Sequence, residues 1–359
     1  MFTDNEGQHC ASTNEDKGKI LAKTFFPTKP VATEKDAQMI AQNPICKADS
    51  ISREQIRRAL MRLRPFKAPG PDRIPDIVLS TCADLIENRL WHIYTAIMEK
   101  GWYYVPWKSF TTVVLQKPGK PRYDIPKVYQ PIALLNTMGK VLTAIIAEQL
   151  TYYTERYKLL PPLHFGSRPA QTISDAIQHL VYKIKDAWHK KQVILVLFLD
   201  IEGAFPNAVN EKLITNLTRR RVPTSIVQFV HNMLKGRKTR LKFDDHESGY
   251  INIDNGIGQG NPLSMVLYQY YNADLLDVPN TSVEFAVAYI DDTILVATMK
   301  TFEDSHNMLA NMRKDRAMQW AKEHNSKFEL SKLALLDFTH KSKKKKKCVG
   351  PPSKSLTRP

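Results

Sequence analysis

The 359-residue chain is short of acids. Its 36 aspartates and glutamates face 52 lysines and arginines, for a formal charge of +16. A soluble chain this basic is expected to meet a polyanion, and nucleic acid is the first candidate. Cysteine is scarce as well. Cys10, Cys46, Cys82 and Cys348 are widely separated and form no C-x-x-C pair, which excludes a zinc knuckle and a disulfide framework. Free thiols in a reducing compartment are the expectation. No run of about 18 apolar residues occurs and no signal peptide opens the chain, so no membrane partner is expected. A soluble, intracellular protein follows, nuclear or cytoplasmic.

The charge is uneven. Residues 341–359 hold eight cations (Lys341, Lys343 to Lys347, Lys354 and Arg358) and no acid. A solvated, disordered tail over 339–359 is expected, and phosphate attraction needs no fold, so such a tail can still bind nucleic acid. Residues 1–50, interrupted by Pro27, Pro30 and Pro44, read as a loosely packed lead-in with one helix. Ser52 and Gln55 then have capping-box spacing, followed by Ile56, Ala59, Leu60 and Leu63 on one helical face. Lys67-Ala-Pro-Gly-Pro-Asp72 cannot continue that helix. Thr111 to Leu115 reads as a strand and 137–157 as a helix. Another helix begins near Thr172, with Ile173, Ala176, Ile177, Leu180, Val181, Ile184 and Trp188 as a core-facing stripe.

Two apolar stretches carry acids at their ends. Val193 to Ile201 reads as a strand buried on both faces, with Asp200 at its end. Phe285 to Thr298 reads as two strands joined at Asp291-Asp292. An Asp-Asp pair between apolar runs is most often a plain polar turn. Three carboxylates delivered to one end of a sheet, however, repel one another and call for cations. Divalent magnesium suits such oxygen ligands, and a pair of ions can activate a 3′-hydroxyl while stabilising a leaving pyrophosphate.

Six motifs then occur in order: Lys67-Ala-Pro-Gly-Pro-Asp72; Tyr129-Gln-Pro-Ile-Ala-Leu-Leu-Asn136; His164-Phe-Gly-Ser-Arg-Pro169; Phe198-Leu-Asp-Ile-Glu-Gly-Ala-Phe-Pro-Asn207; Gly256-Ile-Gly-Gln-Gly-Asn-Pro-Leu-Ser264; and Ala288-Tyr-Ile-Asp-Asp-Thr293. With them the chain resembles, over about 50–340, the reverse transcriptase domain of non-LTR (LINE-type) retrotransposons, most closely the Tad-like group of fungi. The resemblance implies an α+β, right-hand polymerase with fingers and an antiparallel palm sheet over 51–338. It implies an RNA-directed DNA polymerase that takes an RNA template, a DNA primer and deoxynucleoside triphosphates, with two Mg2+ ions or Mn2+ in their place. Asp200 and Asp291, with the backbone carbonyl of Ile201, match the metal ligands, and Asp292 the supporting carboxylate. Lys332 resembles a lysine that protonates pyrophosphate, and Phe205 an aromatic gate against the ribose 2′-hydroxyl. Gly258, Gln259 and Gly260 match the loop bordering the nascent base pair. Lys117 and Lys120 lie in the segment that meets the triphosphate.

The chain departs from the pattern at three positions. Gln130 stands where the family has an arginine that grips the triphosphate, which implies a loss of about 1.5–3 kcal/mol in nucleotide binding, the scale of a hydrogen bond to a charged group. Arg73 and Ser167 each replace a glycine, which is awkward wherever that glycine has φ > 0. Full elements of this type also carry an endonuclease before the polymerase and a thumb after it, and a missing thumb is expected here. The alternative reading is an inactive relic that only binds nucleic acid.

Overall fold

A computed structural model describes residues 2–7, 9–29 and 42–339; the lysine-rich stretch from 340 onward lies outside the described residues. Two short strands, β1 (Phe2–Thr3) and β2 (Cys10–Ala11), pair ahead of α1 (Asn14–Phe25), which is capped by the Thr13 hydroxyl accepting from the Asp16 N–H. The lead-in is better packed than its prolines suggest. Leu21 and Phe25 of α1 are buried with Val114, Tyr129, Leu241 and Phe243 in a core of their own. The apolar face of α1 has a sheet to cover, and that sheet is assembled from segments far along the chain.

The helical part follows the sequence closely. Helix α2 (Arg53–Met61) opens with the Ser52–Gln55 capping box, both reciprocal bonds being made. After the irregular 67–72 segment come α3 (Asp76–Thr81) and α4 (Ala83–Lys100), the latter stopped by Gly101 at φ +60°. Strands β3 (Ser109–Gln116) and β4 (Tyr129–Leu134) pair antiparallel, and α5 (Thr137–Tyr157) follows. Val141, Leu142, Ile145, Ile146 and Leu150 of α5 fill the main core together with Ile56 and Leu60 of α2.

Helix α6 (Ile173–His189) carries a second capping box, Thr172 with Asp175. Its buried face is narrower than the apolar stripe implies. Ala176, Leu180, Ile184 and Ala187 are buried, whereas Ile173, Ile177 and Val181 are 53%, 55% and 41% exposed. Those three form a neighbouring i, i+4 row, and the sheet beneath reaches only one such row.

Strand β5 (Val193–Leu199) is the centre of that sheet. Then come α7 (Ala204–Asn207), α8 (Asn210–Arg219), α9 (Thr224–Leu234) and the strands β6 (Arg237–Phe243), β7 (His246–Glu247) and β8 (Ile251–Ile253). Strand β6 pairs in parallel with β3, giving the order β4-β3-β6-β7 with β8 also on β6. Helix α10 (Ser264–Asn272) leads to β9 (Glu284–Tyr289), β10 (Asp292–Met299), α11 (Phe302–Asn311), α12 (Met318–Glu323) and β11 (Ala334–Phe338). The second sheet runs β11-β5-β10-β9, antiparallel throughout. Leu195, Leu197 and Leu199 of β5 face the main core, and Ile194 and Val196 face α6. Burial on both sides explains why β5 is apolar at every position up to its terminal acid. The fold is α+β.

Candidate active site

The three acids meet because β5 and β10 are neighbours. Leu199 lies across from Thr293, so one further step of the same antiparallel register brings Asp200 opposite Asp292. Asp291 sits in the β9–β10 turn beside them. Burial raises the carboxyl of Asp291 above its ordinary 3.8, and the charges of Asp292 and Asp200 push it the same way. Asp292 is raised too, by desolvation first and by Asp200 second. Asp291 and Asp292 therefore resist ionisation beside Asp200, as carboxylates placed to meet a cation would.

One cation is supplied by the protein itself. After β10 the chain returns so that the Glu329 N–H donates to the Asp200 carbonyl (2.9 Å) and the Glu202 N–H to the Lys327 carbonyl (2.8 Å). These bonds bracket Ile201, whose own carbonyl neither uses. The return leads into the turn Leu330–Lys332, where Lys332 Nζ donates to Asp200 Oδ2 at 2.9 Å. Among the described residues no three His, Cys, Asp or Glu side chains converge closely enough to cage an ion alone. Magnesium seldom asks for that: one or two carboxylates with substrate phosphates and water suffice. The carboxylates of Asp291 and Asp292, raised by burial and by their acidic neighbours, fit such an ion.

The turn that carries Asp291 is strained. Ile290, β-branched, has φ +62°, a left-handed conformation that costs roughly 1–3 kcal/mol and persists only where neighbours enforce it. The His164 motif lies directly beneath. The Phe165 N–H donates to the Ala288 carbonyl (2.8 Å) and the Ala288 N–H to the Leu163 carbonyl (3.0 Å), so 163–165 runs as an extra strand beside β9. Gly166 follows, where an added Cβ would stand 2.5 Å from the Ile290 backbone nitrogen. Only glycine lets the turn come so close. His164 Nε2 bonds Asn272 Oδ1 at 2.9 Å, and Asn272 Nδ2 donates to the Ile290 carbonyl. Burial lowers His164 to about 4, so the ring is neutral at pH 7, with its proton on the nitrogen facing Asn272.

The remaining expected residues surround this cluster unevenly. Lys117 lies just past β3; its Nζ donates to the Lys127 carbonyl (2.8 Å). Its pKa is lowered, by burial first and then by Lys332 and Lys120, while Asp200 acts in the opposite sense. Lys117 thus shares the electrostatic neighbourhood of Asp200. Lys120 is exposed in the following loop, and Gln130 is exposed on β4 opposite Leu115. Neither is brought against the carboxylates by a hydrogen bond among the described residues. Phe205 of α7 is buried, its ring stacked on Tyr268 of α10 at 4.8 Å and 28°. Tyr268 is fully buried and its hydroxyl has no hydrogen-bond partner among the described residues. Asp291 and Asp200 both act on it electrostatically.

The glycine loop is tied to both neighbours. The Gln259 carbonyl accepts from the Ala133 N–H (2.8 Å), and a Cβ on Gly260 would meet the Ala133 carbonyl oxygen at 2.6 Å. The Gly258 carbonyl accepts from the Ser264 hydroxyl (2.6 Å). Buried Arg237 donates to the carbonyls of Leu234, Asn255 and Gly256, and burial lowers its guanidinium to about 10.

Sequence reasoning passed over Arg237, Tyr268, Asn272 and Lys127. The last bridges Glu202 (2.8 Å) and Glu329 (3.0 Å). His164 was inside a recognised motif, but its partner Asn272 lies 108 residues on, and nothing local to either position signals the bond.

A family model described as reverse transcriptase (RNA-dependent DNA polymerase) matches residues 115–349, well over half of the chain. The RNA-directed DNA polymerase from mobile element jockey of Drosophila melanogaster is 24% identical over 298 residues, covering 82% of this chain and 32% of the relative. Its counterpart in Drosophila funebris is 25% identical over 344 residues, covering 91% and 37%. The probable RNA-directed DNA polymerase from transposon X-element of D. melanogaster is 25% identical over 289 residues, covering 80% and 32%. The chain spans about a third of the length of these relatives.

Proposed function

Since the chain belongs to the reverse transcriptase (RNA-dependent DNA polymerase) family, with relatives among the non-LTR retrotransposons, we propose that it catalyses RNA-directed DNA synthesis for such an element. The observation that carries this reading is the cluster of Asp200, Asp291 and Asp292 at adjacent strand ends, two of them held above the ordinary carboxylate range, with Lys332 on Asp200.

Asp200, Asp291 and the Ile201 carbonyl would hold two Mg2+ ions, or Mn2+ in their place, and Asp292 would support them. When bound, those ions supply activation of the primer 3′-hydroxyl and charge stabilisation at the phosphates of a deoxynucleoside triphosphate. Lys332 gives a proton to the departing pyrophosphate, an acid role its position beside Asp200 supports. Lys117 and Lys120 neutralise the triphosphate. Phe205, braced by Tyr268, disfavours a 2′-hydroxyl on the incoming sugar. Gly258, Gln259 and Gly260 border the nascent base pair, held against β4 through Ala133. An RNA template and a DNA primer are drawn to the chain by its net charge of +16.

Residues 51–338 make up the polymerase on this reading, and the protein works inside the cell, in nucleus or cytoplasm. The Tad-like grouping rests on the motifs alone. Gln130 weakens triphosphate binding without abolishing it, because the lysines remain.

Primer extension on an RNA template with Mg2+ and deoxynucleotides, comparing wild type, Asp291→Ala and Gln130→Arg, tests the proposal. Extension by wild type, lost in Asp291→Ala and increased in Gln130→Arg, is the expected result. Silence in all three, with salt-dependent nucleic-acid binding intact, would make the chain a binding relic.

A further inference from the structure

We propose that His164 and Asn272 are positioning residues that aim the Asp291 carboxylate, by holding the preceding residue in a conformation it would otherwise leave. The proposal rests on the reading of Asp291 as a cation ligand.

Ile290 at φ +62° is held from two sides. Asn272 Nδ2 takes its carbonyl oxygen, and Gly166 admits its backbone nitrogen to a distance no other residue allows. Asn272 is fully buried and has one orientation that satisfies both neighbours: its amide nitrogen toward Ile290 and its oxygen toward His164 Nε2. His164, also fully buried, is itself fixed by the extra-strand bonds on either side of it, Phe165 N–H to Ala288 and Ala288 N–H to Leu163. A rigid chain of contacts thus runs from the 163–166 segment through Asn272 to the residue before Asp291. If only general core stability were at stake, an apolar pair would serve in this space, without a polar pair taken wholly out of water. What the polar pair adds is a defined position for one carbonyl group, and through it the direction of the next side chain.

The strain supplies a test that separates positioning from packing. Asn272→Leu removes the bond to Ile290, and the turn relaxes toward negative φ, carrying Asp291 away. Glycine adopts φ > 0 freely, so Ile290→Gly added to Asn272→Leu lets the turn keep its shape without the bond. Mn2+ binding to the full chain, measured calorimetrically with Mn2+ alone, is expected to weaken about ten- to hundredfold in Asn272→Leu, the usual cost of losing an orienting group behind a metal ligand. In the double variant it is expected to return to near wild type, while the melting temperature stays low because the buried bonds are still missing. His164→Phe and His164→Gln provide an independent pair: the first, lacking a donor, should lose affinity and the second, with a donating amide, retain most of it.

Unchanged Mn2+ affinity in Asn272→Leu and His164→Phe would overturn the proposal, as would affinity and melting temperature falling together with no recovery in the double variant. Should Asn272→Leu fail to fold, equal affinities of the two His164 variants would overturn it. A wild type that binds Mn2+ no better than Asp291→Ala would instead defeat the reading of the site itself.

Discussion

Ile290, Arg73 and Ser167 all have positive φ, at 62°, 57° and 52°, yet they differ in what holds them there. Ile290 is enforced by its neighbours beside the acids. Arg73 and Ser167 are exposed and stand where the family pattern has glycine, so their strain was legible in the sequence as a mismatch between residue and motif. A left-handed non-glycine residue costs about 1–2 kcal/mol, and glycine returns some of that as extra freedom in the unfolded chain. Arg73→Gly and Ser167→Gly should therefore each stabilise the protein by roughly 0.5–1 kcal/mol, read as a higher urea midpoint. A lower midpoint would mean that the arginine or serine side chain makes contacts worth more than the strain. The carboxylates were equally legible, because an acid that closes an all-apolar strand is costly to place there unless a cation meets it. The Asn272 bond was not, since it depends on which way two distant buried side chains point.

Elements show the same division between local and distant information. Helix α2 was marked by a capping box, α6 by its apolar stripe and β5 by its unbroken apolar run, signals each contained within a single element. The parallel pairing of β3 with β6 joins segments more than 120 residues apart and leaves no trace in either. The lead-in was expected to hold one helix, without bounds and without a core, because the sheet that α1 covers exists only once that pairing has formed. The exposed row of α6 is the converse, an apolar stripe wider than the surface available to cover it. Leu21 tests the first case. Fully buried among Val114, Tyr129 and Leu241, it should cost about 2–5 kcal/mol when replaced in Leu21→Ala, measured by urea unfolding. A loss under about 1 kcal/mol, the size of an ordinary surface change, would return α1 to the status of a loose lead-in.

Across the whole molecule the two sheets are joined at the acids by charge as well as by packing. Lys127, just before β4, reaches Glu202 and Glu329, which flank Asp200 and Lys332 in space. The segment bearing Lys117 and Lys120 is thereby fixed relative to the acid-bearing strands. A basic chain that gathers three acids at one place has set stability against something else, and the direction of the pKa shifts says which way. With its folded value raised above the ordinary 3.8, Asp291 favours the fold fully only below that ordinary value. The contribution is lost as pH rises through the raised value, so at neutral pH the ionised group costs stability. Neutralising it should help the protein and harm the site.

Thermal melting of wild type and Asp291→Asn at pH 7, each without and with Mn2+, tests that trade most directly. The metal-free variant should melt above metal-free wild type. Mn2+ at about a hundred times its dissociation constant should then stabilise wild type by about 2.7 kcal/mol and the variant by much less. An Asp291→Asn that melts lower without metal, or an equal response of both proteins to Mn2+, would contradict the assignment of these carboxylates as a cation site.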